Sequence, residues 1–171
     1  MAIINGKALV KDGKAVDKVF SNGRQVYSRN LLKGTRTPVS LTGNNTFNQS
    51  GSLYSFANGK SVKYQGLSVG DTLTCEFDWT VSNPTSGTFE AHLNGPNWQR
   101  LSQKTSITSE NKSGHNKISF VVDAGFLDGT ANAIRLRADY LTTDSVITIS
   151  KLHFTKGSTA TPWTPAPEDY I

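Results

Sequence analysis

Cysteine is nearly missing from this chain of 171 residues: Cys75 stands alone, so no intramolecular disulfide can form. Long apolar runs are missing as well. No stretch approaches the roughly 20 consecutive apolar residues that a membrane-spanning helix requires. The first residues, Met1-Ala2-Ile3-Ile4-Asn5-Gly6-Lys7, lack the charged leader and apolar segment of a secretory signal. The expectation is a protein made in a reducing cytoplasm, without a signal peptide and without membrane insertion. The Asn-x-Ser/Thr triplets at Asn44, Asn48 and Asn111 then read as chance in an Asn- and Ser-rich chain. Helical periodicity is absent too, and the Ala/Leu/Glu/Lys-rich segments that helices prefer do not occur. All-β is what remains.

Several kinds of chemistry lack their parts. His92, His115 and His153 are isolated, with neither His-x-x-x-His nor Cys-x-x-Cys spacing to build a tetrahedral metal site. No glycine-rich phosphate loop precedes a helix. Glutamate is scarce, four in the whole chain. No EF-hand-type loop is present, so no cofactor is expected; the places left for a structural calcium are loop oxygens near Asp71, Asp123 or Asp128. The net charge of +5 is unevenly spread: residues 1–36 hold eight Lys/Arg and two Asp, and the rest is close to neutral at −1. A nucleic-acid-binding domain concentrates positive charge on its folded body among stacking aromatics. The near-neutral body argues against that class and makes the basic segment an arm.

What is present is alternation. From Asp71 onward, Leu73, Cys75, Phe77, Trp79 and Val81 share one face of a period-two pattern, and Thr74, Glu76, Asp78 and Thr80 the other. Cys75 and Trp79 therefore belong to the core. After the turn-rich Ser82–Gly87, Phe89, Ala91 and Leu93 point inward, and Glu90, His92 and Asn94 outward. Asn94-Gly95-Pro96-Asn97-Trp98 then puts a large ring on a loop. Further candidate strands are Leu53–Phe56, Ser61–Gln65, Lys117–Asp123, Ala133–Tyr140 and Val146–Thr155, beside Thr72–Val81 and Thr88–Asn94. Seven or more short strands at this spacing predict a two-sheet sandwich. The parity of the last one slips between Ile149 and Leu152, which predicts a bulge near Ser150-Lys151. Residues 1–30 carry three hairpin signals, Asn5-Gly6, Asp12-Gly13 and Asn22-Gly23. A ribbon this small buries too little to stand alone, so residues 1–30 form either a docking or oligomerisation arm or a decorated strand pair of the domain spanning 31–171. The tail Thr161–Pro167 is too proline-rich for a ladder, and Trp163 is expected to pin it to the surface.

Two end motifs carry a resemblance. Asn30-Leu31-Leu32-Lys33-Gly34-Thr35 at the start, and Ile149–Lys156 running into Trp163-Thr164-Pro165-Ala166-Pro167-Glu168-Asp169 at the end, are similar to carbohydrate-binding modules. The modules in question belong to tail and baseplate proteins of phages infecting lactic acid bacteria and related Gram-positive hosts. Val19–Tyr27 resembles the segment that often precedes them. The resemblance implies a jelly-roll β-sandwich on a virion, partnered by host cell-wall polysaccharide and by other tail or baseplate proteins. It implies no binding residues, because the matching motifs are structural.

The candidate site residues come from the outward rows. Sugar binding needs an aromatic face for the CH patches of a pyranose and planar polar groups for its hydroxyls. Trp98, beside Asn97 and Gln99-Arg100, is the candidate platform, or else a ring folded back to cap the sandwich. Glu90, His92 and Asp78 face outward, as do Arg135, Arg137 and Asp139, which alternate with Ile134, Leu136 and Ala138; Tyr140 shares the inward parity. Each row could equally be an ordinary solvated sheet face. Non-catalytic saccharide binding is the leading expectation. A structural virion domain without ligand is the alternative, and a glycan hydrolase using Glu76, Asp78 and Glu90 the third. The hydrolase needs the strands at 72–81 and 88–94 to pair, so that two carboxyl groups stand roughly 5–10 Å apart.

Overall fold

Alternating β-branched and aromatic residues leave the chain no helical face to bury, and it folds almost entirely as strands. The computed structural model describes residues 10–11, 14–93, 99–159 and 161–170. In chain order the strands are β1 (Val10–Lys11), β2 (Lys14–Ala15), β3 (Lys18–Ser21), β4 (Arg24–Ser28), β5 (Val39–Thr42), β6 (Gln49–Ser55), β7 (Thr72–Ser82), β8 (Thr88–Leu93), β9 (Thr105–Ser106), β10 (Ser113–Val121), β11 (Ala133–Asp139) and β12 (Val146–Lys156). A single helical turn, α1 (Ala124–Leu127), is capped by Asp123, whose Oδ1 accepts from the Phe126 N–H at 2.7 Å.

Two four-stranded antiparallel sheets make a jelly-roll sandwich. One runs β10-β7-β12-β5 and the other β6-β11-β8-β9. Their inner faces supply the core: Leu73, Cys75, Phe77, Trp79, Ile147, Ile149, Leu152 and Phe154 from the first, and Phe89, Ala91, Leu93, Ile134, Leu136 and Ala138 from the second. The Trp79 and Phe89 rings meet edge-to-face across the gap, with centroids 5.1 Å apart. Cys75 is buried, as its parity predicts, and burial pushes its thiol pKa up. The bulge near Ser150-Lys151 is present. The register of β12 on β7 slips between Ser150 and His153, and Lys151 takes φ +51°, so Leu152 and Phe154 return to the core.

Three elements depart from expectation. Ser61–Gln65 is no strand but a 3-10 turn over Val62–Tyr64, flanked by Gly59 and Gly66, with only Val62 reaching the core. β5 was not anticipated, because two inward residues, Val39 and Leu41, are too short a pattern to register. β6 starts at Gln49, ahead of the predicted Leu53. Gly51 fills one inward position against Leu41 and hides the alternation.

The two ends of the sandwich lock together. Asn30 is fully buried: its Nδ2 donates to Leu152 O (2.8 Å), and its Oδ1 accepts from Phe154 N (3.1 Å) and Leu32 N (3.2 Å). Gly34 N–H donates to Asp169 Oδ1 at 2.6 Å, and Arg29 pairs with Glu168. Trp163 Nε1 donates to Leu152 O at 3.2 Å, which pins the tail. The two sequence motifs that carry the family resemblance are therefore one joint in space. Ahead of it, β3 and β4 pair across Asn22-Gly23, whose φ values of +49° and +74° match the predicted two-residue turn. β1 pairs with β2, while Asp12-Gly13 and the Asn5-Gly6 signal lie outside the described residues.

Candidate functional site

The topology sorts the candidate residues onto two opposite surfaces. β7 and β8 follow each other in sequence but belong to different sheets. Glu76 and Asp78 therefore point away from one outer face of the sandwich, and Glu90, His92, Arg135, Arg137 and Asp139 away from the other. With sheets packed about 10 Å apart, carboxylates directed outward from both sides cannot flank one bond. The pairing of the 72–81 and 88–94 strands that the hydrolase reading needs does not occur, and Asp78 does not belong with Glu90. Trp98 lies outside the described residues.

On the β6-β11-β8 face the rows converge. Arg135 lies opposite His92 and Arg137 opposite Glu90 across the β11-β8 ladder, and Ser52 and Ser50 take the same positions on β6. The segment after residue 98 returns along β8: Leu101 N donates to Ala91 O at 2.8 Å, and Arg100 bridges to His92. This brings Arg100 Nε to 2.7 Å from Glu90 Oε2, with Arg137 Nη1 at 3.9 Å from Glu90 Oε1. Glu90, read from the sequence as an exposed carboxylate, is consequently only 6% exposed, and His92 only 1%. Burial lowers the His92 pKa, so the ring is neutral at pH 7.

Asp139 organises the end of this face. Its carboxylate accepts from Arg137 Nε and Nη2 (3.1 and 3.2 Å), from Lys104 Nζ (2.9 Å) and from the Asn48 N–H (2.9 Å). Burial opposes its charge, but these donors more than offset that cost and its pKa is lowered. Among the described residues the Arg135 side chain makes no hydrogen bond or ion pair and keeps its donors available.

Beside this polar cluster stand two rings that sequence reasoning did not select. Phe47 is 60% exposed and Tyr140 56% exposed, with centroids 5.9 Å apart, and the Arg137 guanidinium lies 4.9 Å over the Phe47 ring. Tyr140 was expected in the core. β11 ends at Asp139, however, and Tyr140 takes φ +54°, which turns its side chain outward. The loop carrying Phe47 is held rather than loose. Asn44 Oδ1 accepts from Thr46 N at 3.1 Å, Tyr140 N donates to Thr46 O at 2.9 Å, and Asn45 N donates to Leu141 O at 2.8 Å. A lone aromatic inside the polar run Asn44-Asn45-Thr46-Phe47-Asn48 was the available signal for it.

The opposite face is a self-satisfied charge network. His115 Nδ1 lies 2.9 Å from Asp78 Oδ1, Lys151 Nζ 2.9 Å from Asp78 Oδ2, and His153 Nδ1 3.4 Å from Glu76 Oε1. The hydrogen bond to His153 is the main reason the Glu76 pKa is lowered, and that to His115 the main reason for Asp78. A glycosidase acid needs a raised carboxyl pKa; Glu76, Asp78 and Asp139 all move the other way. Two of the three calcium candidates are otherwise engaged: Asp71 accepts from Lys156 Nζ at 2.7 Å and Ser68 N at 2.8 Å, and Asp123 caps α1. Among the described residues no three His, Cys, Asp or Glu side chains are placed to hold a metal.

No protein-family model matches the chain, and no curated protein matches it. Solved structures do resemble it. A chain of the tripod (BppUct-A-L) from the baseplate of bacteriophage Tuc2009 superposes with a TM-score of 0.50 at 16% identity, over 81% of this chain and 58% of that one. The present chain thus spans little more than half of that neighbour. A structure described as CBM4 gives a TM-score of 0.44 at 13% identity over 70% of this chain and 82% of that one. The CBM22-1 xylan-binding domain of Paenibacillus barcinonensis Xyn10C gives 0.40 at 11% identity over 94% and 86%. At these identities the likeness to the baseplate chain is one of fold.

Proposed function

We propose that this chain is a non-catalytic module that holds host cell-wall saccharide on the outer face of the β6-β11-β8 sheet, as part of a phage tail or baseplate. The observation that carries the reading is the placement of two exposed rings, Phe47 and Tyr140, against the Arg137–Asp139–Glu90 cluster. Rings cover the apolar patches of a pyranose, and fixed planar donors and acceptors take its hydroxyls. The cluster is preorganised by its own hydrogen bonds, so little ordering entropy is lost on binding. The likeness to a baseplate chain supports the tail setting. Residues 1–30 would attach the module to other tail proteins or to copies of itself, and many weak sites on one particle would supply avidity.

A fluorescent fusion of the whole chain tests this reading. It should label Gram-positive host cells or their isolated wall polysaccharide without releasing reducing ends. Trp98→Ala, at the ring proposed from the sequence, should weaken the labelling. A fusion that stains no host while the protein still joins particles would favour a structural virion domain.

A further inference from the structure

Away from the sheet face, a recess of about 580 Å³ opens where the β3-β4 ribbon meets the sandwich. Its volume lies within the range of small-molecule sites. It is lined by Asp17 and Lys18 at the start of the ribbon, by Asn58, Tyr64 and Gln65, and by the apolar Leu31 and Leu67. Tyr64 is 60% exposed, a large ring with no core to fill.

The loop presenting that ring is fixed by its amides. Asn58 Nδ2 donates to Tyr64 O (3.1 Å), and Asn58 Oδ1 accepts from Lys60 N (3.0 Å) and Gln65 Nε2 (2.7 Å). Gln65 Nε2 also lies 3.0 Å from Ser61 O. The Gln65 amide nitrogen is thus committed, while its carbonyl oxygen remains to accept. The charges around the recess balance. Arg29 pairs with Glu168 and lies 3.5 Å from Asp17, and Lys156 lies 2.7 Å from Asp71. Among the described residues Lys18 is the one lining cation without a carboxylate at ion-pair distance. An anion such as phosphate would find Arg29 and Lys156 already paired and only Lys18 open, whereas a hydroxyl-rich ligand would find a ring, amide groups, a carboxylate and that one ammonium.

We infer that this recess is a second saccharide site, taking one neutral sugar residue between ribbon and sandwich, with Tyr64 as its platform and Asp17, Lys18 and Gln65 as hydroxyl partners. The site is complete only while the ribbon stays docked, so its occupancy couples the orientation of residues 17–28 to ligand. It stands independently of the outer sheet face, which has different residues on a different surface.

The test is amide NMR of the whole chain titrated separately with glucose, galactose, rhamnose, N-acetylglucosamine and inorganic phosphate. A single sugar residue should bind with Kd on the order of millimolar. At least one sugar should move the amides of residues 57–67 together with Asp17 and Lys18. Tyr64→Ala should weaken that response at least tenfold, and Gln65→Ala should weaken it several-fold. Both side chains are peripheral to the core, and an unchanged spectrum away from the recess verifies the fold of each variant. Shifts at Arg135–Asp139 report the sheet face separately, so either site can fail alone. Perturbation of the recess by phosphate and by no sugar, no perturbation by any probe, or a sugar response that both variants leave unchanged overturns the inference.

Discussion

Replacing Phe47 by alanine isolates the aromatic contribution to the proposed face. The ring is 60% exposed and contacts Tyr140 and the Arg137 guanidinium without entering the core. A Phe side chain offers on the order of 200 Å², so roughly 120 Å² is open and a pyranose covering one face would remove about 60 Å² of it from water. At about 25 cal/mol per Å² this is about 1.5 kcal/mol, or roughly tenfold in affinity. Folding should lose only about 0.5–1 kcal/mol, the worth of an exposed cation–π contact. Isothermal titration with isolated host wall polysaccharide, beside thermal melts, separates the two effects. Phe47→Ala should weaken binding about tenfold with a nearly unchanged Tm, and the double variant with Tyr140→Ala should lose more than either single variant, by an amount that need not be the product because the two rings touch. Affinity unchanged in the double variant would refute the assignment of these rings to the ligand.

Three further outcomes follow from the packing and the charges. Asn30→Ala removes the acceptor of Phe154 N and Leu32 N in a fully buried joint, while Leu152 O keeps its bond from Trp163; at about 1–3 kcal/mol for each unpaired group it should cost about 2 kcal/mol or more in urea unfolding, and a loss below about 1 kcal/mol would show that water repairs the joint. Trp79→Ala, which empties the contact with Phe89, should cost about 3–5 kcal/mol in the same assay, and a cost under about 1 kcal/mol would mean that the two sheets are not held together there. The Glu76 pKa is lowered chiefly by its hydrogen bond to His153. A lowered carboxyl pKa contributes stability that is present above the unfolded value, about 4.3, and is lost as pH falls through the folded one. Melting temperature should therefore drop through this acid range, and Glu76→Gln should flatten the drop; an identical acid limb in that variant would contradict the assignment.

Much of the fold was legible because half-buried strands write their burial as alternation. The inward set Leu73, Cys75, Phe77, Trp79 and Val81 is a single row in the structure, and the slip in β12 marks a real bulge. Sheet membership was not legible, because one short turn can either close a hairpin or cross between layers. Here the turn crosses: Gly87, at φ +116°, lies so close to the Leu141 backbone that a Cβ would approach Leu141 Cα to 2.9 Å. That crossing sends Asp78 and Glu90 to opposite surfaces and separates the hydrolase residues. Within the candidate site, Arg135, Arg137 and Asp139 could be read from parity. Phe47 could not, since a ring in a polar loop has no period, and Tyr140 was misassigned because parity was carried one residue past the end of its strand.

The central claim is that one outer face of the sandwich, and not the other, holds saccharide. Its most direct measurement compares Arg137→Gln with Lys151→Gln, both in the whole chain, for affinity to isolated wall polysaccharide. Arg137 orders Asp139 and the Phe47 ring on the proposed face, while Lys151 pairs with Asp78 on the opposite one. Loss of a charged hydrogen-bonding group, about 1.5–3 kcal/mol, predicts a roughly 10- to 100-fold weaker Arg137→Gln and a Lys151→Gln equal to the parent chain. Equal losses in both variants, or a loss confined to Lys151→Gln, would contradict the account.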